Sequence, residues 1–314
     1  MTDHTASETV IDTTAAGRPT PAPRAMSTPR PFYWSVRREI WENPSVYIAP
    51  LAVAGLVLFG FVISAFNLHA TVNGVAVLDP TENAGLILAP YGIAAGAVMA
   101  TAFAVAVFYA VGALYNERRD RSILFWKSLP VSDLVTVLAK TAIPMVVLPL
   151  TAFAVIVAAH LVMMLVNTSA VTARGFSAPA LWSHIPLGRM ELLLLYGLVT
   201  LSLWMAPVYG WLLLVSGWAK KAPFLWAFLP PLALCLAEHM AFHTAYLWSV
   251  IWGRLKGGFA AAFGSQPQLR GVSDAFPQMD PMGFITTPGL WLGLLFAAAC
   301  LAAAVWLRQR REPI

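Results

Sequence analysis

The sequence predicts an all-α integral membrane protein, a six-helix transmembrane bundle with an N-terminal interfacial helix and a short cytoplasmic helix between two of the spans. Three observations favour this class. Of 314 residues, 59% are hydrophobic and 11% are charged, a balance far from that of a soluble domain. Several apolar runs reach the roughly 20 residues that a helix needs to cross a bilayer. The alternating polarity of roughly ten-residue strands, typical of a membrane β-barrel, is not found in the sequence.

The N-terminal segment has a different composition from the rest of the chain. Residues 1–30 are rich in threonine and proline and contain no aromatic residue. Such a segment buries too little apolar surface to offset the entropy lost on ordering, so we expect a disordered cytoplasmic tail. The membrane domain then covers residues 31–314.

An amphipathic segment, PFYWSVRREIW, follows the tail over residues 31–41. Helical spacing gathers four apolar side chains on one face, namely Phe32, Tyr33, Val36 and Ile40. Ser35 and Arg38 point away from this stripe. The pattern favours a helix lying in the membrane interface over an ordinary juxtamembrane segment, and Asn43-Pro44 is expected to end it.

Six apolar runs are expected to span the membrane: 46–66, 86–115, 134–166, 190–218, 222–240 and 288–307. Prolines inside these runs are expected to kink or break the helices, at Pro90, Pro144, Pro149, Pro207, Pro230 and Pro231. Carbonyl groups freed by proline need partners on neighbouring helices, which favours a packed bundle.

Basic residues between the runs predict the orientation, because Lys and Arg are retained on the cytoplasmic side. Fifteen of the 20 fall on one side, which includes both termini. The other five are Arg174, Arg189, Arg254, Lys256 and Arg270. The chain is therefore predicted to be a multi-pass membrane protein with cytoplasmic N- and C-termini.

We expect short interfacial or re-entrant helices in the long outer loop, residues 241–287. We expect no nucleic-acid partner, because the basic residues flank apolar runs instead of forming a soluble basic domain.

The segment between the second and third runs carries the densest pattern, YNERRDRSILFWKSLPVSD over residues 115–133. Asp120 or Ser122 can cap a short helix, and Ser132 or Asp133 can cap the following span. The aromatic pair in this helix, flanked by Arg and Lys, has the composition of a protein-binding hot spot. The alternative is that both aromatic rings lie at the lipid interface.

This segment resembles the first cytoplasmic loop of the permease subunits of type 2 ATP-binding-cassette (ABC-2) transporters, which are mainly exporters. The residues that carry the resemblance, in order, are Glu117, Arg118, Arg119, Arg121, Ser122, Ile123, Leu124, Leu129, Pro130 and Ser132. Six spans, cytoplasmic ends, an interfacial helix and a long outer segment before the last span are also similar to that family.

The resemblance implies a function. The loop would form a coupling helix that docks on a separate ATP-binding subunit, through Glu117, Arg118, Arg119, Arg121, Ser122, Ile123, Leu124, Phe125, Trp126, Lys127, Leu129 and Pro130. ATP and Mg would be bound by that partner and no cofactor by this chain, whose sequence has no Gly-x-x-x-x-Gly-Lys-Ser/Thr loop. The family also implies a second permease subunit, identical or related, and a bacterial inner membrane. The substrate is not identified by any of these residues.

Small residues recur at four-residue spacing along the second run, at Gly92, Gly96, Ala100 and Ala104. Such a stripe allows close helix approach, within the subunit or across a dimer, and we favour packing within the subunit.

Isolated polar residues support one alternative from another class, an intramembrane enzyme with a polar site at His160, Glu238, His239 and His243. A metal site is disfavoured, because the order Glu-His-x-x-x-His is not that of zinc proteases and a third ligand is not evident. We expect His160 to be neutral and hydrogen-bonded to a neighbouring helix. A further alternative is a non-transporting assembly or sensory subunit.

Three other features have structural explanations. Lys140 can extend its ammonium group to the inner interface, and Arg189 can pair with Glu191. Cys235 and Cys300 each lie in an apolar run, which favours two buried thiols.

Overall fold

The computed structural model describes residues 29–67, 84–120, 131–173, 185–263 and 279–310. Within these ranges the chain forms ten α-helices and one π-helical turn, with no strand. The helices are α1 (Pro29–Glu42), α2 (Ser45–Asn67), α3 (Ala84–Arg119), α4 (Asp133–Ala142), α5 (Leu148–Thr172), α6 (Leu187–Trp218), α7 (Pro223–Phe242), α8 (Tyr246–Phe263), α9 (Pro281–Thr286) and α10 (Pro288–Arg310). The π turn, Ile143–Val147, joins α4 to α5.

Six helical segments are long and apolar enough to cross a membrane. They are Ser45–Ala65, Leu88–Arg119, Asp133–Ala170, Leu187–Trp218, Pro223–Phe242 and Pro288–Arg310. Each coincides with a predicted span, and its ends differ from the prediction by at most four residues. The prediction of six membrane-spanning helices is therefore confirmed at the level of length and composition.

The predicted helix boundaries at two polar sites are also confirmed. Helix α1 ends at Glu42 and α2 begins at Ser45, so the chain breaks at Asn43-Pro44. Ser132 is the N-cap of α4, where its hydroxyl oxygen accepts a hydrogen bond from the Val135 N–H at 3.3 Å.

The prolines interrupt the helices less than predicted. Four lie inside helices that continue past them: Pro90, Pro207, Pro230 and Pro231. Of the two predicted outcomes, a kink or a break, the structure excludes the break at these positions. Pro144 instead lies in the π turn, where the wider helix accommodates a residue that has no N–H to donate.

Helix α6 forms the centre of the bundle. In its most apolar stretch 67% of the residues are buried, against 11% in α7, which lies at the periphery. Helix α10 packs along α6 and approaches closely at Gly210, where a Cβ atom would lie 3.0 Å from the Ala297 Cα. A side chain at this position would push the two backbones apart, so glycine favours this close approach. The two cysteines are buried free thiols, as predicted.

The small-residue stripe on α3 faces away from the bundle. A Cβ atom at Gly92 or Gly96 would meet no described atom within 4 Å, and Ala100 and Ala104 are exposed. The expectation that this stripe packs within the subunit is therefore wrong for the described residues. Helix α3 instead buries the face that carries Tyr91 and the residues one turn apart from it.

The described part of the predicted outer loop, residues 241–287, contains two helices, α8 and α9. Helix α8 is fastened to α6, because the Tyr196 hydroxyl donates to the Ala262 carbonyl at 2.9 Å and the Trp204 indole N–H donates to the Arg254 carbonyl at 2.7 Å. Trp248, near the start of α8, is exposed on the surface of the protein.

Candidate functional site: a buried charge cluster between four helices

Charged side chains from four helices meet where α3 ends and α4 begins. This inner charge cluster consists of Arg38 and Glu39 on α1, Tyr109 and Glu117 on α3, Asp133 and Lys140 on α4, and Arg308 on α10. Buried ionised groups are costly unless they are paired, so such a cluster requires a reason in the fold or the function.

Lys140 is at the centre of the inner charge cluster. Lys140 is 2% exposed, and its ammonium nitrogen lies 2.9 Å from Glu39 Oε1 and 3.1 Å from Glu117 Oε1. The expectation that this side chain extends to the inner interface is therefore wrong. The lysine instead joins α4 to α1 and α3, because its ammonium group pairs with one carboxylate on each of those helices.

Glu39 is the matching buried carboxylate, 1% exposed. It also accepts hydrogen bonds from the Tyr109 hydroxyl at 2.7 Å and from the Arg38 guanidinium at 2.8 Å. Burial alone would raise the pKa of the Glu39 carboxyl, but the charge of Lys140 and these hydrogen bonds hold that pKa below its ordinary value. Glu39 is therefore ionised in the folded protein at neutral pH.

Arg308 connects the two flanks of the predicted coupling segment. Its guanidinium donates through Nε to Asp133 Oδ1 at 2.8 Å and through a terminal nitrogen to Glu117 Oε2. Glu117 lies just before residues 121–130 and Asp133 just after them. One side chain near the end of the last span thus links α3 and α4, the helices that precede and follow residues 121–130.

A second contact locks the end of α3 to the end of α6. Arg118 donates to the carbonyl oxygens of Ser216 at 2.9 Å and Ala219 at 2.6 Å, which are acceptors left open at the C-terminus of α6. The Ser216 hydroxyl oxygen in turn accepts from the Leu114 and Tyr115 N–H groups, both at 2.9 Å. These contacts tie the C-terminal end of α3 directly to α6.

The residues predicted to contact an ATPase subunit fall into three groups. Glu117 and Arg118 are buried and bound inside the protein, whereas Arg119 is exposed and pairs with Asp120 at 3.0 Å. The others lie outside the described residues: Arg121, Ser122, Ile123, Leu124, Phe125, Trp126, Lys127, Leu129 and Pro130. Docking on a partner stays a prediction for all of them.

The predicted apolar stripe of α1 is divided in the structure. Val36 and Ile40 pack against the core of the bundle, while Phe32 and Tyr33 are exposed. The helix itself is present where the sequence predicts it. Its location in the membrane interface stays a prediction.

A cavity of about 510 Å³ borders the inner charge cluster between α1 and α3. Its wall includes Glu39, Glu42, Tyr109 and Lys140. Burial raises the pKa of the Glu42 carboxyl. The ion pairs of Glu39 and Lys140 therefore border a cavity on one side.

A separate polar group joins α3, α5 and α6. His160 Nδ1 lies 2.6 Å from Glu191 Oε1, and His160 Nε2 lies 3.0 Å from the Tyr91 carbonyl oxygen. Because a carbonyl oxygen only accepts, the Nε2–H group donates to Tyr91. That His160 is neutral stays a prediction. The expected hydrogen bond from His160 to a neighbouring helix is confirmed. Glu191, which the sequence suggested as a partner of Arg189, pairs with this histidine.

Replacing His160 with alanine is expected to lower the free energy of unfolding by about 1–3 kcal/mol, because Glu191 then loses its close partner in a half-buried position. The measurement is thermal unfolding of the purified protein in detergent. His239→Ala, at an exposed site near the end of α7, is the matched control and is expected to change the free energy by less than about 0.5 kcal/mol. Equal melting temperatures for both variants would show that the His160 contact contributes nothing.

Glu238 has a structural role that the sequence did not suggest. Its carboxylate accepts hydrogen bonds from the Thr244 hydroxyl at 2.7 Å and from the Tyr246 and Leu247 N–H groups, both at 2.8 Å. These N–H groups begin α8, so the carboxylate caps that helix. In the described part of the chain, no group of three metal-ligating side chains occurs.

Sequence reasoning missed Glu39, although a signal for it was present. This acidic residue lies between Val36 and Ile40 on the half of α1 that turns inward, and Lys140 is the one basic residue inside the third apolar run. A lysine inside an apolar run indicates a buried acidic partner, but the sequence does not identify Glu39 as that partner.

No family model, no curated protein and no solved structure matches this chain. The likeness to the ABC-2 class therefore rests on the sequence pattern alone. The function is argued below from the geometry of the inner charge cluster.

Proposed function

We propose that this chain is the membrane-spanning permease subunit of an ATP-binding-cassette transporter, and that it exports its substrate with ATP hydrolysed on a separate subunit. The observation that carries the proposal is the Arg308 bridge between Glu117 and Asp133. These residues flank the segment that resembles the family's coupling helix, so the bridge links the expected docking site to the last span.

The contacts around this bridge suit a transmission element. From Glu117 the ion pairs continue through Lys140 to Glu39 on α1, and Arg118 continues to the C-terminus of α6. Charged pairs and packed helices change between discrete arrangements rather than deform gradually. A partner that moves residues 121–130 would therefore shift α1, α6 and α10 together.

The proposal includes the remaining parts of such a transporter. The ATPase subunit would bind ATP and Mg, a second permease subunit of the same or a related sequence would complete the pathway, and a bacterial inner membrane would hold both. The N- and C-termini and the inner charge cluster would lie on the cytoplasmic side, as the distribution of basic residues favours.

Co-purification from the native membrane tests the proposal. The tagged protein in mild detergent is expected to retain an ATPase subunit, and Phe125→Ala/Trp126→Ala is expected to weaken that retention at least about tenfold, since aromatic anchors dominate such interfaces. The matched control is Trp248→Ala/Trp252→Ala, two exposed aromatic residues on α8 in the predicted outer loop. The control is expected to retain the ATPase subunit like the wild type.

Two results would contradict the proposal. One is a chain that purifies alone and moves or converts its substrate without ATP. The other is an ATPase subunit that is retained equally by both double variants, which would remove the coupling segment from the contact.

A further inference from the structure

Two consecutive arginines on α1 have opposite surroundings. Arg38 is paired with carboxylates, at 2.8 Å from Glu39 and 3.5 Å from Glu42. Arg37 forms no ion pair with any described residue, and its guanidinium carbon lies 5.1 Å from the ring centre of Trp34 and 4.6 Å from that of Trp41. Two indole rings thus hold a guanidinium that has no carboxylate partner in the described chain.

These three residues form one face of α1, which we call the Trp-Arg-Trp face. Positions 34, 37 and 41 follow the helical spacing of three and four residues, and the two tryptophans are 58% and 69% exposed. The opposite face carries Ser35 and Glu39, both buried. The face that α1 presents outward is therefore not the predicted stripe, half of which packs inward.

The position of the Trp-Arg-Trp face suggests what covers it. Helix α1 ends at Glu42, and the first candidate span begins at Ser45, so the face lies beside one end of that span. Lipid headgroups are at this level, and tryptophan side chains concentrate there. The distribution of basic residues assigns this end to the cytoplasmic leaflet, whose anionic lipids attract arginine.

We propose that the Trp-Arg-Trp face binds the phosphate group of an anionic phospholipid in the leaflet beside α1. A guanidinium matches phosphate oxygens with two parallel hydrogen bonds, and the two indoles hold it in place so that little side-chain freedom is lost on binding. The aromatic rings contact the upper part of the acyl chains. The site works without the ATPase partner and does not depend on the transport function.

Lipid retention by the full-length protein tests this site. The protein is reconstituted in bilayers of phosphatidylcholine with phosphatidylglycerol, extracted, and examined by native mass spectrometry for the lipids that stay bound. The wild type is expected to retain phosphatidylglycerol in preference to phosphatidylcholine. Arg37→Gln is expected to lower retained phosphatidylglycerol roughly fivefold, as one basic residue at the surface contributes.

Arg310→Gln is the matched control. Arg310 also lies over an indole, 4.4 Å from the ring centre of Trp306, and is exposed near the end of α10. A general attraction of the basic surface to anionic lipid predicts equal losses for the two variants, and that result would overturn the proposal. An unaltered preference in Arg37→Gln, or no preference in the wild type, would overturn it as well.

Arg37→Lys separates charge from geometry. Lysine keeps the positive charge but cannot form the planar, two-pronged contact, so its retention of phosphatidylglycerol is expected to lie between those of the wild type and Arg37→Gln. Retention equal to the wild type would show that charge alone accounts for the binding and would overturn the proposed site geometry.

Discussion

Replacing Lys140 with methionine is expected to lower the free energy of unfolding by about 3–5 kcal/mol. Methionine fills a similar volume but leaves the carboxylates of Glu39 and Glu117 buried without the ammonium group that lies 2.9 and 3.1 Å from them. Arg38 and Arg308 still pair with these carboxylates, but the loss of one cation from a buried cluster leaves an excess of negative charge, which is strongly destabilising. Thermal unfolding of the purified protein in detergent measures the effect.

Two further variants show whether the loss comes from the ion pair. Glu39→Gln/Lys140→Met removes both charges and is expected to recover a large part of the lost stability, since replacing a whole buried pair is often close to neutral. Lys256→Met removes a lysine that lies over the Trp252 ring on an exposed part of α8 and is expected to change little. If the double variant is as unstable as Lys140→Met, packing rather than charge explains the loss.

The pH dependence of stability is expected to reverse in Lys140→Met. In the wild type the pKa of Glu39 is held below its ordinary value, so its contribution is present at neutral pH and is lost as the pH falls through that lowered pKa. Burial raises the pKa of Glu39 and the charge of Lys140 lowers it. The Glu39 pKa is therefore expected to rise when Lys140 is removed. Mild acidification then stabilises the variant by protonating the carboxyl, whereas it does not stabilise the wild type.

The spans could be predicted because the bilayer sets their length. A helix of about 20 apolar residues is required whatever its neighbours are, so hydropathy alone located all six within four residues. Two helix boundaries could also be predicted, because they depend only on neighbouring residues. Asn43-Pro44 and Ser132 act through nearby backbone groups, which the sequence alone specifies.

The inner charge cluster could not be predicted because its partners are far apart in the chain. Lys140 and Glu39 are separated by 101 residues, and Arg308 and Glu117 by 191. Their pairing depends on how α1 and α10 dock on α3 and α4, which hydrophobic periodicity does not determine. Arg118 is a second example. The sequence pattern placed it among the residues expected to dock on a partner, but its guanidinium binds carbonyl oxygens at the C-terminus of α6, about 100 residues away.

The small-residue stripe was assigned to the wrong side for a different reason. Four-residue spacing of Gly92 and Gly96 indicates that a helix can approach closely, but the spacing is identical for a partner inside or outside the subunit. The direction of the stripe follows only from the rotation of α3, which Tyr91 and its buried face determine through contacts with α5.

Under the proposed function, replacing Arg308 with glutamine is expected to lower ATP-driven transport at least about tenfold while the ATPase subunit still binds. Glutamine cannot hold the carboxylates of Glu117 and Asp133 together, so the two flanks of residues 121–130 lose their common link to α10. The proposed docking residues of that segment are unaltered. Transport is measured with the reconstituted complex, and ATPase binding by co-purification.

Two comparisons decide whether Arg308 transmits motion or merely stabilises the fold. Arg308→Lys keeps a positive charge but lacks the planar guanidinium that meets two carboxylates at once, so it is expected to restore stability more than transport. Arg310→Gln removes a neighbouring exposed charge and is expected to leave transport unchanged. If ATP hydrolysis continues in Arg308→Gln while transport is lost, the bridge carries the coupling; if hydrolysis, transport and melting temperature fall together and Arg308→Lys restores all three, the bridge is structural only.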